Sequence, residues 1–135
     1  MEQKGGTRNM IIAVDFDGVL CRNKFPEIGP PNYEVVSLVR ELIDRGHEVV
    51  LWTTRNGEEL TAAVDWCGDR GLHFSNVNGP APSNAAEYED KYPTQSRKIY
   101  ADVYIDDHNV EYVGAGRDAG YNNMIKYIKS LKGRK

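Results

Sequence analysis

The chain has 135 residues, of which 40% are hydrophobic and 27% charged, with 13 Gly and 6 Pro. That length and composition fit one globular domain and exclude a second full one, a disordered chain or a collagenous repeat. A formal net charge of −3 excludes a uniformly basic nucleic-acid or membrane-surface protein.

Residues 1–9 are polar and are expected to fray, leaving 10–135 as a single domain. Met10 to Val14 is a continuous apolar run, the pattern of a strand buried on both faces of a parallel sheet. It is too short for a signal sequence or a membrane span. Residues 18–32 hold Gly18, Pro26, Gly29, Pro30 and Pro31 and are expected to form loop. Tyr33 to Arg45 places Val35, Val36, Val39, Leu42 and Ile43 at helical spacing, with Gly46 as the stop. Val49 to Trp52 is a second buried strand. Glu58 to Arg70 is a second helix, closed by Gly71. Phe74 to Val77 is a short third strand. Residues 78–97 are polar and broken by Pro, so loop is expected there. Ala101 to Ile105 is a fourth strand, and 109–116 a short helix. Tyr121, Met124, Ile125, Ile128 and Leu131 mark a final amphipathic helix.

That order predicts an α/β fold: a three-layer, doubly wound, Rossmann-like sheet that is mostly parallel. The cations Lys126, Lys129, Lys132, Arg134 and Lys135 read as the solvated end of the last helix. Cys21 and Cys67 have no metal-type spacing and read as reduced thiols of a cytoplasmic protein.

Three of the apolar runs end in polar residues: Asp15, Thr53 and Asp106. In open parallel sheets ligands bind at the carboxyl ends of the strands. Asp17 and Asp107 lie beside two of these ends. Four carboxylates around one crevice repel one another unless a cation intervenes. Hard oxygen donors with open positions suit Mg²⁺.

Asp15-Phe16-Asp17-Gly18-Val19-Leu20 after an apolar strand resembles the first motif of the haloacid dehalogenase (HAD) superfamily. Thr53 after Val49-Val50-Leu51-Trp52 is similar to its second motif. Lys98, shortly before the last core strand, is similar to the third, and Asp106-Asp107 to the acidic fourth. The resemblance implies an Mg²⁺-dependent phosphomonoester hydrolase. Asp15 would be the nucleophile that forms an aspartyl-phosphate. Asp17 would be the general acid and then the base. Thr53 would bind a phosphoryl oxygen, and Lys98 would offset the charge. The metal would sit on Asp15, the backbone carbonyl of Asp17 and Asp106, with Asp107 as a direct or an outer ligand. Backbone N–H groups near Phe16, Asp17 and Thr54 would complete a phosphate cradle. The two segments where the family inserts caps, 18–32 and 78–97, are too short for an independent domain, which implies an open, capless site. Small members of this kind often cover the site by oligomerising or by binding a macromolecule, so a homo-oligomer is one expectation. A nucleotide, a sugar phosphate and a nucleic-acid end are all open as substrates.

Several residues have competing readings. Thr54 competes with Thr53 for the phosphoryl oxygen, and Arg97 with Lys98 as the cation. Arg55 fits a substrate contact and a structural ion pair equally well. Asn76 and Asn78 end the third strand, where they fit residues that line the crevice or, better, ordinary turn residues, and His47 reads as a loop residue. Two other function classes stay in view. A receiver-like phospho-acceptor module also uses acidic residues, Thr, Lys and Mg²⁺, but its acceptor Asp ends the third strand, where this chain has Asn76, Val77 and Asn78. An inactive HAD-like binding protein would keep the fold without turnover.

Overall fold

The computed structural model of the protein describes residues 9–84, 99–106 and 117–132. Strand β1 (Ile11–Val14) is followed by a hairpin of β2 (Cys21–Lys24) and β3 (Glu27–Pro31). Helix α1 (Tyr33–Asp44), strand β4 (Glu48–Leu51), helix α2 (Gly57–Asp69) and strand β5 (Asn76–Val77) come next. A 3₁₀ turn over Pro82–Asn84, strand β6 (Val103–Ile105) and helix α3 (Arg117–Lys132) complete the described elements.

The sheet has four strands in the order β5-β4-β1-β6, and every pairing is parallel. This is an α/β architecture with three described helices, compatible with a Rossmann-like fold. The register aligns Val14 with Leu51 on one side and with Ile105 on the other. The chain therefore leaves β1, β4 and β6 at nearly the same level. Because β4 and β5 lie on one side of β1 and β6 on the other, β1 is where the strand order reverses.

The strands form where they do because both faces are covered. Ile12, Val14, Val49, Leu51, Val103 and Ile105 join the larger core cluster. Val35, Val39 and Leu42 of α1, Ala63 and Cys67 of α2, and Ile125, Ile128 and Leu131 of α3 pack into the same cluster. Each fully buried aliphatic side chain of this kind contributes about 1.5–3 kcal/mol. Ala13 and Val50 face the other way, into a smaller cluster with Ala81, Ile99 and Ala101.

The starts of the strands are tied by side chains. Met10 donates its N–H to His47 Nδ1 at 2.9 Å. Ile11 donates to Asp102 Oδ2 at 2.8 Å, and the Tyr100 hydroxyl donates to Asp102 Oδ1 at 2.6 Å. Glu48 accepts from the Ser83 N–H at 3.1 Å and also from its hydroxyl. His47 lies in the loop between α1 and β4, as its reading as a loop residue expects, and it is buried there.

The stretch 18–32 also differs from the expected loop. Residues 21–31 form an antiparallel hairpin with a register shift between Cys21 and Asn23. Gly29 is required there, because a Cβ on it would lie 2.4 Å from the Arg22 carbonyl oxygen. The expected third strand, 74–77, shortens to Asn76–Val77 at the sheet edge. The region 109–116 lies outside the described residues.

Candidate active site

Asp15 and Asp106 each follow a residue of the aligned pair Val14 and Ile105. The Asp15 N–H donates to the Ile105 carbonyl at 3.0 Å, which carries the ladder one residue past the strand end. Adjacent strands are about 4.8 Å apart, so these two carboxylate-bearing residues stand abreast. Thr53 lies two residues beyond Leu51, on the other side of β1. The three strand-end residues read from the sequence are thus brought to one end of the sheet.

Asp17 is held by a tight turn. Gly18 takes a φ of +88°, a conformation open to Gly at little cost. Its N–H donates to the Cys21 carbonyl at 2.8 Å, and Leu20 donates to the Phe16 carbonyl at 3.0 Å. The Asp17 side chain is engaged by Arg55 in a two-pronged ion pair, Nε to Oδ2 at 2.8 Å and Nη2 to Oδ1 at 2.9 Å. The remaining Arg55 donors are also committed. Nη1 donates to the carbonyls of Pro26 and Glu59, both at 3.2 Å, and Nη2 to that of Glu27 at 2.9 Å. A guanidinium has five N–H donors, and all five are used. Its carbon lies 5.1 Å from the centroids of both Phe16 and Phe25, close enough for cation–π attraction to each. Arg55 is only 2% exposed. The hydrogen bonds to Asp17 outweigh burial and raise its pKa further above the ordinary value.

Of the two roles open to Arg55, the structure realises the ion pair. No donor is left over for a substrate phosphate unless one of these bonds is given up. The Phe16 N–H, expected in a phosphate cradle, here donates to Asp15 Oδ1 at 2.8 Å.

Thr53 is anchored at both backbone and side chain. Its N–H donates to Asn78 Oδ1 at 2.7 Å, and its Oγ1 accepts the Arg55 N–H at 3.1 Å. The hydroxyl proton is then directed away from that N–H and can serve an outside acceptor. Thr54 is exposed. Asn78 takes a φ of +53°, a conformation Asn tolerates better than most residues. It is a turn residue, as read from the sequence, and it also positions Thr53. An Asn just past a strand end, facing a neighbouring strand end, was the available signal.

Lys98, Arg97 and Asp107 lie outside the described residues. Among the described residues, no group of three or more His, Cys, Asp and Glu side chains is set to hold a metal ion. The donor set still fits Mg²⁺. That ion is commonly bound through one or two carboxylates together with substrate phosphate oxygens. Asp15 and Asp106 supply such a pair. The two thiols offer no competing nucleophile. Burial pushes Cys21 up to about 11 and Cys67 up to about 12, so both are protonated near neutral pH. No described helix is long and apolar enough to cross a membrane.

Comparison of the chain with protein-family models and with curated proteins gives no match. Among solved structures it is similar to the conserved protein coded by a locus from Bacteroides thetaiotaomicron. The two are 35% identical with a TM-score of 0.70, over 91% of this chain and 92% of that one.

Proposed function

We propose, for a chain that belongs to the same family as the conserved Bacteroides thetaiotaomicron protein, the activity of an Mg²⁺-dependent phosphomonoester hydrolase. The observation that carries this reading is the parallel register that sets Asp15 and Asp106 abreast, with Thr53 on the other side of β1. The fold that accompanies it is a HAD-like, doubly wound domain over 10–135 without a cap. The segment 18–32 supports the last point, since its regular structure is the β2–β3 hairpin alone.

In this mechanism an Asp15 carboxylate oxygen attacks phosphorus. The bond from phosphorus to the leaving oxygen breaks, and an aspartyl-phosphate forms. Asp17 supplies the proton that the departing oxygen takes up. A water molecule then attacks phosphorus, Asp17 takes its proton, and inorganic phosphate leaves with Asp15 restored. The Thr53 hydroxyl donates to a phosphoryl oxygen. Lys98 and Asp107 complete the site in this reading, Lys98 against the phosphoryl charge and Asp107 beside Asp106. Asp15, Asp106 and the backbone carbonyl of Asp17 would hold Mg²⁺, whose chemistry is to screen the carboxylates from a dianionic phosphate. Asp17 is a carboxylate in its pair with Arg55, so before it can donate it must give up one of those two bonds and take a proton from solvent.

The experiment is phosphate release from a panel of nucleotides, sugar phosphates and 3′- or 5′-phosphorylated oligonucleotides, with Mg²⁺ or with EDTA. Metal-dependent release from at least one substrate is expected. No release across the panel, together with no measurable Mg²⁺ affinity, would contradict the reading.

A further inference from the structure

Arg55 joins three parts of the molecule through one side chain. It grips both carboxylate oxygens of Asp17, the backbone carbonyls of Pro26 and Glu27 at the hairpin turn, and the Glu59 carbonyl in α2. The hairpin is not part of the central sheet. Its turn carries Phe25, a residue 57% exposed whose ring also lies over the guanidinium. The Asp17 carboxylate is therefore fixed from the hairpin side as well as from the backbone that leaves β1.

We infer that Arg55 is a positioning residue that ties the Asp17 carboxylate to the β2–β3 hairpin, so that the hairpin's seat sets where Asp17 points. The mechanical tie stands on the hydrogen bonds alone. Its catalytic consequence rests on the proposed phosphatase reading. If Asp17 serves the leaving oxygen, a displaced hairpin misaims it, and the loss is greatest for leaving groups that most need a proton. A planar guanidinium is required, because only a fork can hold two carboxylate oxygens and two hairpin carbonyls at once. Lys keeps the charge but loses that geometry.

The test has two arms. The first is amide hydrogen exchange over residues 21–31 in the wild type, Asp17→Ala and Arg55→Lys, with α1 and β4 as internal references. A larger acceleration of exchange in the hairpin than in the α1 and β4 references is expected in both variants. Unchanged hairpin exchange in a folded Asp17→Ala protein overturns the tie. The second arm compares phenyl phosphate, a poor leaving group, with p-nitrophenyl phosphate, a good one. Arg55→Lys should lose roughly 100-fold in kcat on phenyl phosphate and clearly less on p-nitrophenyl phosphate. Gly29→Ala covers the case in which Arg55→Lys does not fold. It disturbs the hairpin through the Arg22 carbonyl and touches neither Arg55 nor Asp17, and it should show the same discrimination. An equal loss on both substrates would mean a structural role only and would overturn the positioning claim. If the wild type hydrolyses neither aryl ester, the kinetic arm compares panel substrates with poorer and better leaving groups; no release across that panel fails the phosphatase reading, while the exchange arm decides the tie by itself.

Discussion

At the amino ends of the sheet strands, His47, Asp102 and Glu48 spend their side chains on backbone or neighbouring groups of the same fold. At the carboxyl ends, Asp15, Thr53 and Asp106 are gathered by the register of three parallel strands. The polar residues at the first end close loose backbone donors and staple loops to strands. Those at the second end lie at the point of strand reversal, where ligands bind in open parallel sheets. A polar residue at a strand end is therefore no site by itself. What it is bonded to, and which other strand ends share its level, decide the matter. Asp17 spans both categories, because it belongs to the carboxyl end yet is fastened to Arg55 as firmly as a structural residue.

The largest effect that sharpens this contrast is expected at Asp17. Asp17→Asn keeps the shape and one acceptor while losing the acid, and kcat should fall by about 100-fold or more. Asp17→Ala should in addition destabilise the protein by about 3 kcal/mol, because it leaves a buried guanidinium without its counter-charge. Steady-state kinetics and urea unfolding measure the two parts separately. A loss of stability with full activity would move Asp17 into the structural class.

A smaller effect is expected at the opposite end. Asp102→Ala removes the acceptor for the Ile11 N–H and for the Tyr100 hydroxyl. The cost should be about 1 kcal/mol in urea unfolding, with kcat unchanged. A fall in kcat comparable to that of Asp17→Asn would break the division between the two ends.

The smallest effect concerns pH. Burial first, and the Arg45 guanidinium second, hold His47 below its usual value of 6.5. Its Nδ1 accepts the Met10 N–H and so must be unprotonated in the fold. On acidification the unfolded chain takes up a proton that the folded chain resists. The His47 contribution is whole above pH 6.5 and is lost as pH falls below it towards the lower folded value. Thermal melts of the wild type should therefore fall between pH 7 and pH 5.5 more steeply than those of His47→Asn, whose amide oxygen can accept the same N–H without titrating. Parallel slopes would remove His47 from the stabilising contacts.

How much of this was legible in the sequence follows from where each signal resides. The strands β1 and β4 were readable because burial on both faces leaves an unbroken apolar run. The helices were readable from their spacing and from Gly46 and Gly71, which adopt positive φ at the helix ends. The hairpin was not. Its strands read Cys-Arg-Asn-Lys and Glu-Ile-Gly-Pro-Pro, with little alternation and two prolines, and backbone carbonyls that accept from Arg55 leave no trace in side-chain identity. Strand ends Asp15, Thr53 and Asp106 were placed by their positions after apolar runs. The pairing of Arg55 with Asp17, 38 positions apart, was open between two roles because a sequence names the charge and not its partner. His47 was legible as a loop residue but not as a buried one. A lone His between Gly and Glu carries no burial signal, and only its bond to Met10 explains it.

In the proposed reaction the carboxyl end of the sheet transfers phosphoryl groups through Asp15. The measurement that tests it most directly is rapid acid quench of the protein during turnover of a radiolabelled phosphomonoester with Mg²⁺, followed by peptide mapping. The account predicts label on the peptide that contains Asp15, more of it in Asp17→Asn, where the second step lacks its base, and none in Asp15→Asn. Phosphate release that proceeds without label on Asp15, or that survives Asp15→Asn at the wild-type rate, would contradict it.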